Sequence, residues 1–227
     1  MYFSKGRFIL ESETIKRSII DHLYWDQRVD ASHVTVEIAD ETVRLSGSVP
    51  SALARASAEY DAWVVEGVKS VDNELTIEYP QTTELPSGEV VQREIERTLL
   101  WNPNIDAKRI SVEMRGGTAV LNGEVDAYWK KSRVEELVLD VTGVLSVGNH
   151  LNVNPRRSLS DREIAQSITE ALKRDKTIDQ REIEVSVTDG IVKLQGKIPD
   201  RQQRIAVQSI AGHSMGVVDV INELSTR

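Results

Sequence analysis

The chain has 227 residues, 40% hydrophobic and 28% charged, with a net charge of −8 and no cysteine. That composition is ordinary for folded protein and excludes low-complexity disorder, while the lack of cysteine excludes a disulfide framework, a thiolate metal site and a cysteine nucleophile. The length leaves room for one large domain or up to three small ones.

The charge is unevenly spread. Residues 1–80 hold 8 basic against 14 acidic side chains, residues 81–155 hold 8 against 11, and residues 156–227 hold 12 against 11. Phosphate repulsion in the first two thirds argues against nucleic acid as a partner. The opening residues, Met1 to Leu10, include Lys5 and Arg7 but no continuous apolar run of the kind an export signal needs. No window approaches the ~18 apolar residues of a spanning helix. The chain is therefore expected not to span a membrane, to be cytoplasmic as given, and to be periplasmic had a native leader been removed.

Beyond those residues, one series of elements is written three times. Ile15, Ile19 and Leu23, at i, i+4 and i+8, predict an amphipathic helix. Val29-Asp30 marks the turn after it. Val34, Val36 and Ile38 alternate as a strand, Asp40-Glu41 turns the chain, and Val43-Arg-Leu-Ser-Gly47-Ser-Val49 makes the next strand. Its glycine calls for a backbone reason: a bend, a bulge or the close approach of another element. A second helix is predicted over 51–65. Gly67-Val68 follows, the glycine suiting a left-handed helix C-cap, and a last strand carries Val71, Asn73, Leu75 and Ile77. A linker from Tyr79 to Gly88 contains Pro80 and Pro86, which discourage continuation of either element type.

In the second copy the helix stripe is Val91, Ile95 and Leu99, and the turn is Ile105-Asp106. Strands follow through Ile110, Val112 and Met114 and through Ala119-Val-Leu-Asn-Gly123-Glu-Val125, joined at Gly116-Gly117. The second helix is expected over 127–141, before Gly143-Val144 and a strand with Asn149 and Leu151. In the third copy, after the linker Asn154 to Ser160, the stripe is Ile164, Ile168 and Leu172, preceded by a capping-box sequence from Ser160 to Glu163. Ile178-Asp179, a strand through Ile183, Val185 and Val187, the hairpin dipeptide Asp189-Gly190 and Val192-Lys-Leu-Gln-Gly196-Lys-Ile198 come next. A helix over 200–213, Gly216-Val217 and a strand with Asn222 and Leu224 close the copy.

One ruler runs through all three. The anchor glycine lies 17 residues after the aspartate, the Gly-Val glycine 20 residues after the anchor, and the asparagine 6 residues after that. The period is 76 and then 73, the difference falling in the linker. The expected fold class is α+β: three tandem αββαβ modules over 11–79, 87–154 and 159–227, each a three-stranded mixed sheet with two helices on one face. A unit of about 65 residues buries little core by itself, so contact between copies is expected.

These motifs resemble the BON domain, a bacterial module whose pattern is V-x-L-x-G-x-V, a helix, then G-V-x-x-V-x-N-x-L. Gly47, Gly67 and Asn73 match it in the first copy, Gly123, Gly143 and Asn149 in the second, Gly196, Gly216 and Asn222 in the third. The resemblance implies a non-enzymatic protein associated with osmotic stress, envelope maintenance, phospholipid surfaces or protein clients. It implies no catalytic residues and no cofactor.

Trp25 and Trp101 share one repeat position, where copy three has Arg174. A tryptophan at a helix end packs over its own sheet or neighbour on the simpler reading; on the other it meets a membrane interface or partner groove. Acidic Asp21 and Asp26 flank Trp25, so Trp101, beside Leu100, is the better candidate. Arg156, Arg157, Arg162, Lys173, Arg174 and Lys176 form the one positive concentration, read first as a solvated face interleaved with acids and second as a seat for anionic head groups. Trp63 and Trp129 read as packing residues. Asp30, Asp106 and Asp179 read as turn residues rather than a metal set, and Asn73, Asn149 and Asn222 as backbone-bonding residues. The four histidines show no metal-ligand spacing, and no nucleophile or phosphate-loop motif is present. The partners expected are phospholipid head groups or client proteins, with a homo-oligomer as a further possibility.

Overall fold

A computed structural model describes residues 3–39, 42–79 and 85–226. The elements are α1 (Phe3–Trp25), β1 (Val34–Ala39), β2 (Thr42–Val49), α2 (Ala52–Val64), β3 (Ser70–Asn73) and β4 (Thr76–Ile77) in the first copy. The second has α3 (Gly88–Trp101), β5 (Ile110–Arg115), β6 (Thr118–Val125), α4 (Tyr128–Leu139) and β7 (Ser146–Val153). The third has α5 (Asp161–Arg174), β8 (Ile183–Thr188), β9 (Ile191–Ile198), α6 (Arg201–Gly212) and β10 (Asp219–Thr226).

Each copy is an αββαβ module with a three-stranded sheet, the anchor strand in the middle. In the first copy β1 runs antiparallel to β2, and β3 and β4 are two segments of one last strand, both parallel to β2. In the third, β8 is antiparallel and β10 parallel to β9. A short 3-10 turn precedes the first strand of every copy, at Ala31–His33, Ala107–Arg109 and Gln180–Glu182. The Asp40-Glu41 turn and part of the first linker, 80–84, lie outside the described residues.

The chain divides into two compact units, Met1–Ser87 with Leu139–Ser146, and Gly88–Val138 with Val147–Arg227. In the first unit, Ile19, Leu23, Val36, Val43, Leu45, Val49, Ala58, Ala62 and Val68 form one core. The segment 139–146 belongs to it through two bonds: Arg55 donates to the Leu145 carbonyl at 2.7 Å, and the Gly143 N–H to the Tyr79 hydroxyl at 3.1 Å. In the second unit, Val91, Ile95, Leu99, Leu121, Val134, Val138 and Leu151 are buried in one module, and Ile164, Ile168, Leu172, Val192, Leu194, Val207 and Leu224 in the other. Each valine, leucine or isoleucine among them contributes roughly 1.5–3 kcal/mol of burial.

The helix stripes lie in these cores because an i, i+4, i+8 series keeps to one side of a 3.6-residue helix. Outward side chains of the sheets include cross-strand ion pairs, such as Arg44 with Asp72 at 3.3 Å and Lys193 with Glu223 at 3.1 Å, and in the third sheet the exposed Ile191 and Ile221 as well.

The anchor glycine owes its identity to a close approach. Gly47, Gly123 and Gly196 have φ of +109°, +121° and +137°, and a Cβ on each would lie 2.0 Å from the carbonyl oxygen of His33, Arg109 and Glu182 respectively. Those carbonyls end the three 3-10 turns, so one crossing of turn over strand is built three times.

The first helix starts at Phe3, ahead of the 11–79 bounds expected for the first module. One expectation is corrected. The later glycine is not the helix C-cap: α2 ends with Val65 in extended conformation as its cap, and α6 with His213. Gly67 and Gly216 still need positive φ, +89° and +86°, in the turn beyond, where a Cβ would press on the side chains of Ile15 and Ile164.

Local capping follows the sequence. Ser160 Oγ accepts from the Glu163 N–H at 3.3 Å while Glu163 accepts from the Ser160 N–H at 2.8 Å, the reciprocal pair of a capping box. Asp161 then accepts from the N–H groups of Asp189 and Gly190, both at positive φ, and holds the β8–β9 hairpin.

Candidate functional site

The ends of the first helices are the most exposed apolar points among the described residues. Trp25 is 78% exposed and Trp101 79%, with Tyr24 at 74% and Leu100 at 64% beside them. Helical geometry is the cause: Leu23 and Leu99 close the buried stripe, and a step of two residues turns the next side chain about 200° away from it. This overturns the reading of both tryptophans as packing residues. Tyr24 and Trp25 stand edge to face, ring centroids 5.4 Å apart, and Ile20, one turn back, is also exposed. The equivalent positions of α5 carry Lys173 and Arg174, both exposed. Two modules thus present an apolar helix end and the third a basic one.

The end of α1 rests on a charged cluster. Arg28 clasps both carboxylate oxygens of Asp26, Nε to Oδ1 and Oδ2 at 3.0 Å and a terminal nitrogen to Oδ2 at 2.6 Å. That hydrogen-bonded guanidinium holds the Asp26 carboxyl below its ordinary range. Against it from α2 lies Asp61, 7% exposed, whose Oδ2 finds no donor among the described residues. Burial first, and then the Asp26 charge, push Asp61 up to about 6, with Arg28 opposing. Burial also raises the neighbouring Tyr60 hydroxyl, as does the Asp61 charge. Sequence reasoning missed Asp61. Its signal was available in the repeats, where the same position holds Leu137 and Ile210.

In the second unit the linker Asn154–Ser160 borders a cavity of about 350 Å³ lined by Trp129, Lys130, Arg156, Arg157, His213 and Met215, among others. Trp129 and His213 stack nearly parallel, 10° between planes and 5.9 Å between centroids. Asp126 binds Lys130 at 2.7 Å and Arg156 at 2.6 Å, and its carboxyl is lowered by the Lys130 hydrogen bond first and by the Arg156 charge as well. The basic concentration read from the sequence is therefore divided. Arg156 is tied to an acid, Arg157 edges the cavity, and Lys173 and Arg174 stand at the helix end.

The recurring motif residues serve the fold. Asp30 and Asp179 cap their 3-10 turns by accepting from Ser32 and Arg181, whereas Asp106 makes no such side-chain bond. Asn73, Asn149 and Asn222 each donate Nδ2 to a helix carbonyl 18 residues back and accept, at Oδ1, the N–H two residues on. Trp63 is half-buried in α2. Among the described residues no group of three or more histidine, cysteine, aspartate or glutamate side chains could hold a metal, and no helix is long and apolar enough to cross a membrane.

Comparison with known proteins gives three tandem matches to the family model described as BON domain, over residues 11–79, 87–155 and 160–227. The chain is similar to the osmotically-inducible protein Y of Escherichia coli strain K12, 27% identical over 143 residues that span 60% of this chain and 71% of that one. It is also similar to the uncharacterized protein in the gshII 5′ region of Anaplasma centrale, 26% identical over 124 residues, 54% of this chain and 82% of the other. Among solved structures, the C-terminal domain of CdsD, a structural protein of the type III secretion system of Chlamydia trachomatis, aligns over 93% of this chain and 96% of its own at 19% identity, with a TM-score of 0.26.

Proposed function

The chain belongs to the BON-domain family, and from that premise we propose that it is a non-enzymatic binding protein of osmotic-stress physiology that attaches peripherally to phospholipid surfaces. The stress assignment follows its similarity to the osmotically-inducible protein of Escherichia coli. The attachment rests on one observation: Trp25 and Trp101 stand at the same point of two modules with more than three quarters of their surface in solvent.

An indole at a helix tip suits the boundary between head groups and acyl chains, its ring apolar and its N–H polar. Leu100 extends the apolar contact beside Trp101, where Asn102 brings no charge. Lys173 and Arg174 at the matching tip of the third module, with Arg157 in the linker, add attraction to anionic head groups at about 1 kcal/mol per basic side chain. Neither a metal nor a cofactor enters this reading.

Co-sedimentation with phosphatidylcholine vesicles, with and without phosphatidylglycerol, tests it on the wild type and Trp101→Ala. Binding that needs the anionic lipid, weakens with salt and falls in the variant supports attachment. Absence of binding, with a mass above the monomer by light scattering, would transfer the helix tips to self-association or to a protein client.

A further inference from the structure

Asp61 breaks the repeat at a point where the repeat has a purpose. Its counterparts Leu137 and Ile210 are apolar and half-buried, whereas α2 turns a carboxyl inward. The groups facing it are Asp26 and Arg28, from the segment that follows α1, and Tyr60 of its own helix. Arg28 is the cation among them, and its guanidinium holds both carboxylate oxygens of Asp26. With both carboxyls ionised, Asp61 Oδ2 has no donor among the described residues. One proton held between the two carboxyls supplies it.

We propose that Asp61 and Asp26 form a proton-operated latch joining α2 to the end of α1, closed while the pair holds a proton and loosened when both carboxyls are ionised. Closure draws the segment after Trp25 onto α2. It also removes one negative charge beside the Tyr24–Trp25 tip. If that tip is the lipid contact argued above, on which this consequence rests, acid strengthens attachment by the first module. The second module has no such device, since Asn102 and Leu137 replace the two aspartates.

The latch is tested on the full chain by carboxyl-carbon NMR titration of Asp61 and by hydrogen exchange of the amides in the last turn of α1, for wild type and Asp61→Asn. Asparagine supplies a donor at every pH. The expected result is a midpoint near 6 for Asp61, and a protection factor in the last turn that falls roughly tenfold or more between pH 5 and pH 7.5. In Asp61→Asn the protection should stay level. A midpoint below about 4.5, or the same fall in the asparagine variant, overturns the latch.

Vesicles of phosphatidylcholine and phosphatidylglycerol separate this from the attachment reading. Binding by the wild type that is stronger at pH 5.5 than at pH 7.5, with the difference abolished in Asp61→Asn, supports the coupling, and equal pH profiles overturn it. If neither protein binds at either pH, the attachment reading fails, and the titration and exchange measurements decide the latch by themselves.

Discussion

Asn149 donates from Nδ2 to the backbone carbonyl of Lys131 at 3.0 Å, reaching from β7 to the helix α4 18 residues earlier. The same side chain donates to Glu135 at 2.9 Å and accepts the Leu151 N–H at 3.2 Å. Asn73 repeats all three bonds with Arg55, Glu59 and Leu75, and Asn222 with Arg204, Gln208 and Leu224. The asparagine is a clamp between the second helix and the last strand of each module.

Removing the clamp leaves a strand N–H and a helix carbonyl to find other partners. Asn149→Ala is expected to destabilise its module by about 2 kcal/mol. Asn149→Asp should cost more at neutral pH than at pH 4, because it sets a second carboxylate against Glu135. Urea unfolding at both pH values checks the pair of variants, and an Asp variant that is no worse at neutral pH would show that the Glu135 contact is not made.

Two glycines of the second module separate close approach from backbone conformation. At Gly123 a Cβ would meet the Arg109 carbonyl at 2.0 Å, while at Gly116 it would meet nothing within 4 Å, with φ +54°. Gly123→Ala is expected to cost more than about 3 kcal/mol and Gly116→Ala about 1 kcal/mol. Thermal unfolding of the two variants should therefore rank them clearly, and equal losses would place the anchor glycine's role in φ alone.

Asp61 gives the first module a definite pH dependence. Its carboxyl is raised when folded, so the folded state holds a proton that the unfolded state releases. The protonated form is favoured in full below about pH 4. Stability then falls as pH rises toward 6 and levels off above it. The whole change amounts to at most about 3 kcal/mol. Asp61→Leu, which copies the second module, should raise stability at pH 8 and flatten the curve between pH 4 and pH 6, as denaturation across that range would reveal.

The helix tips and the helix stripes should respond oppositely to truncation. Trp101→Ala is expected to change stability by less than about 0.5 kcal/mol while lowering vesicle binding. Leu99→Ala, two residues earlier and fully buried, should cost about 2–5 kcal/mol. Calorimetry on both variants decides it. A large loss in Trp101→Ala would mean that the indole packs on the protein.

Much of the architecture could be read in advance because its signals are local and periodic. The stripe Ile164, Ile168 and Leu172 states a helix face, Gly116-Gly117 and Asp189-Gly190 state tight hairpins, and Ser160 with Glu163 states a helix start. Spacing kept through three copies then makes each element vouch for the other two. The exposure of Trp25 and Trp101 was also within reach, since a two-residue step from Leu23 or Leu99 leaves the buried side of the helix.

Other features depend on which distant residues meet. An anchor glycine could be assigned a bend, a bulge or an approach, and only the folded turn showed the carbonyl of Arg109 lying over Gly123. The ionisation of Asp61 depends on Asp26 and Arg28, brought to it from another helix end, and the fate of Arg156 on Asp126 across the linker. A one-dimensional pattern carries periodicity and spacing, which fix what each segment becomes. Burial, field and hydrogen-bond partners are set by three-dimensional neighbours, and those exist only once the segments have packed.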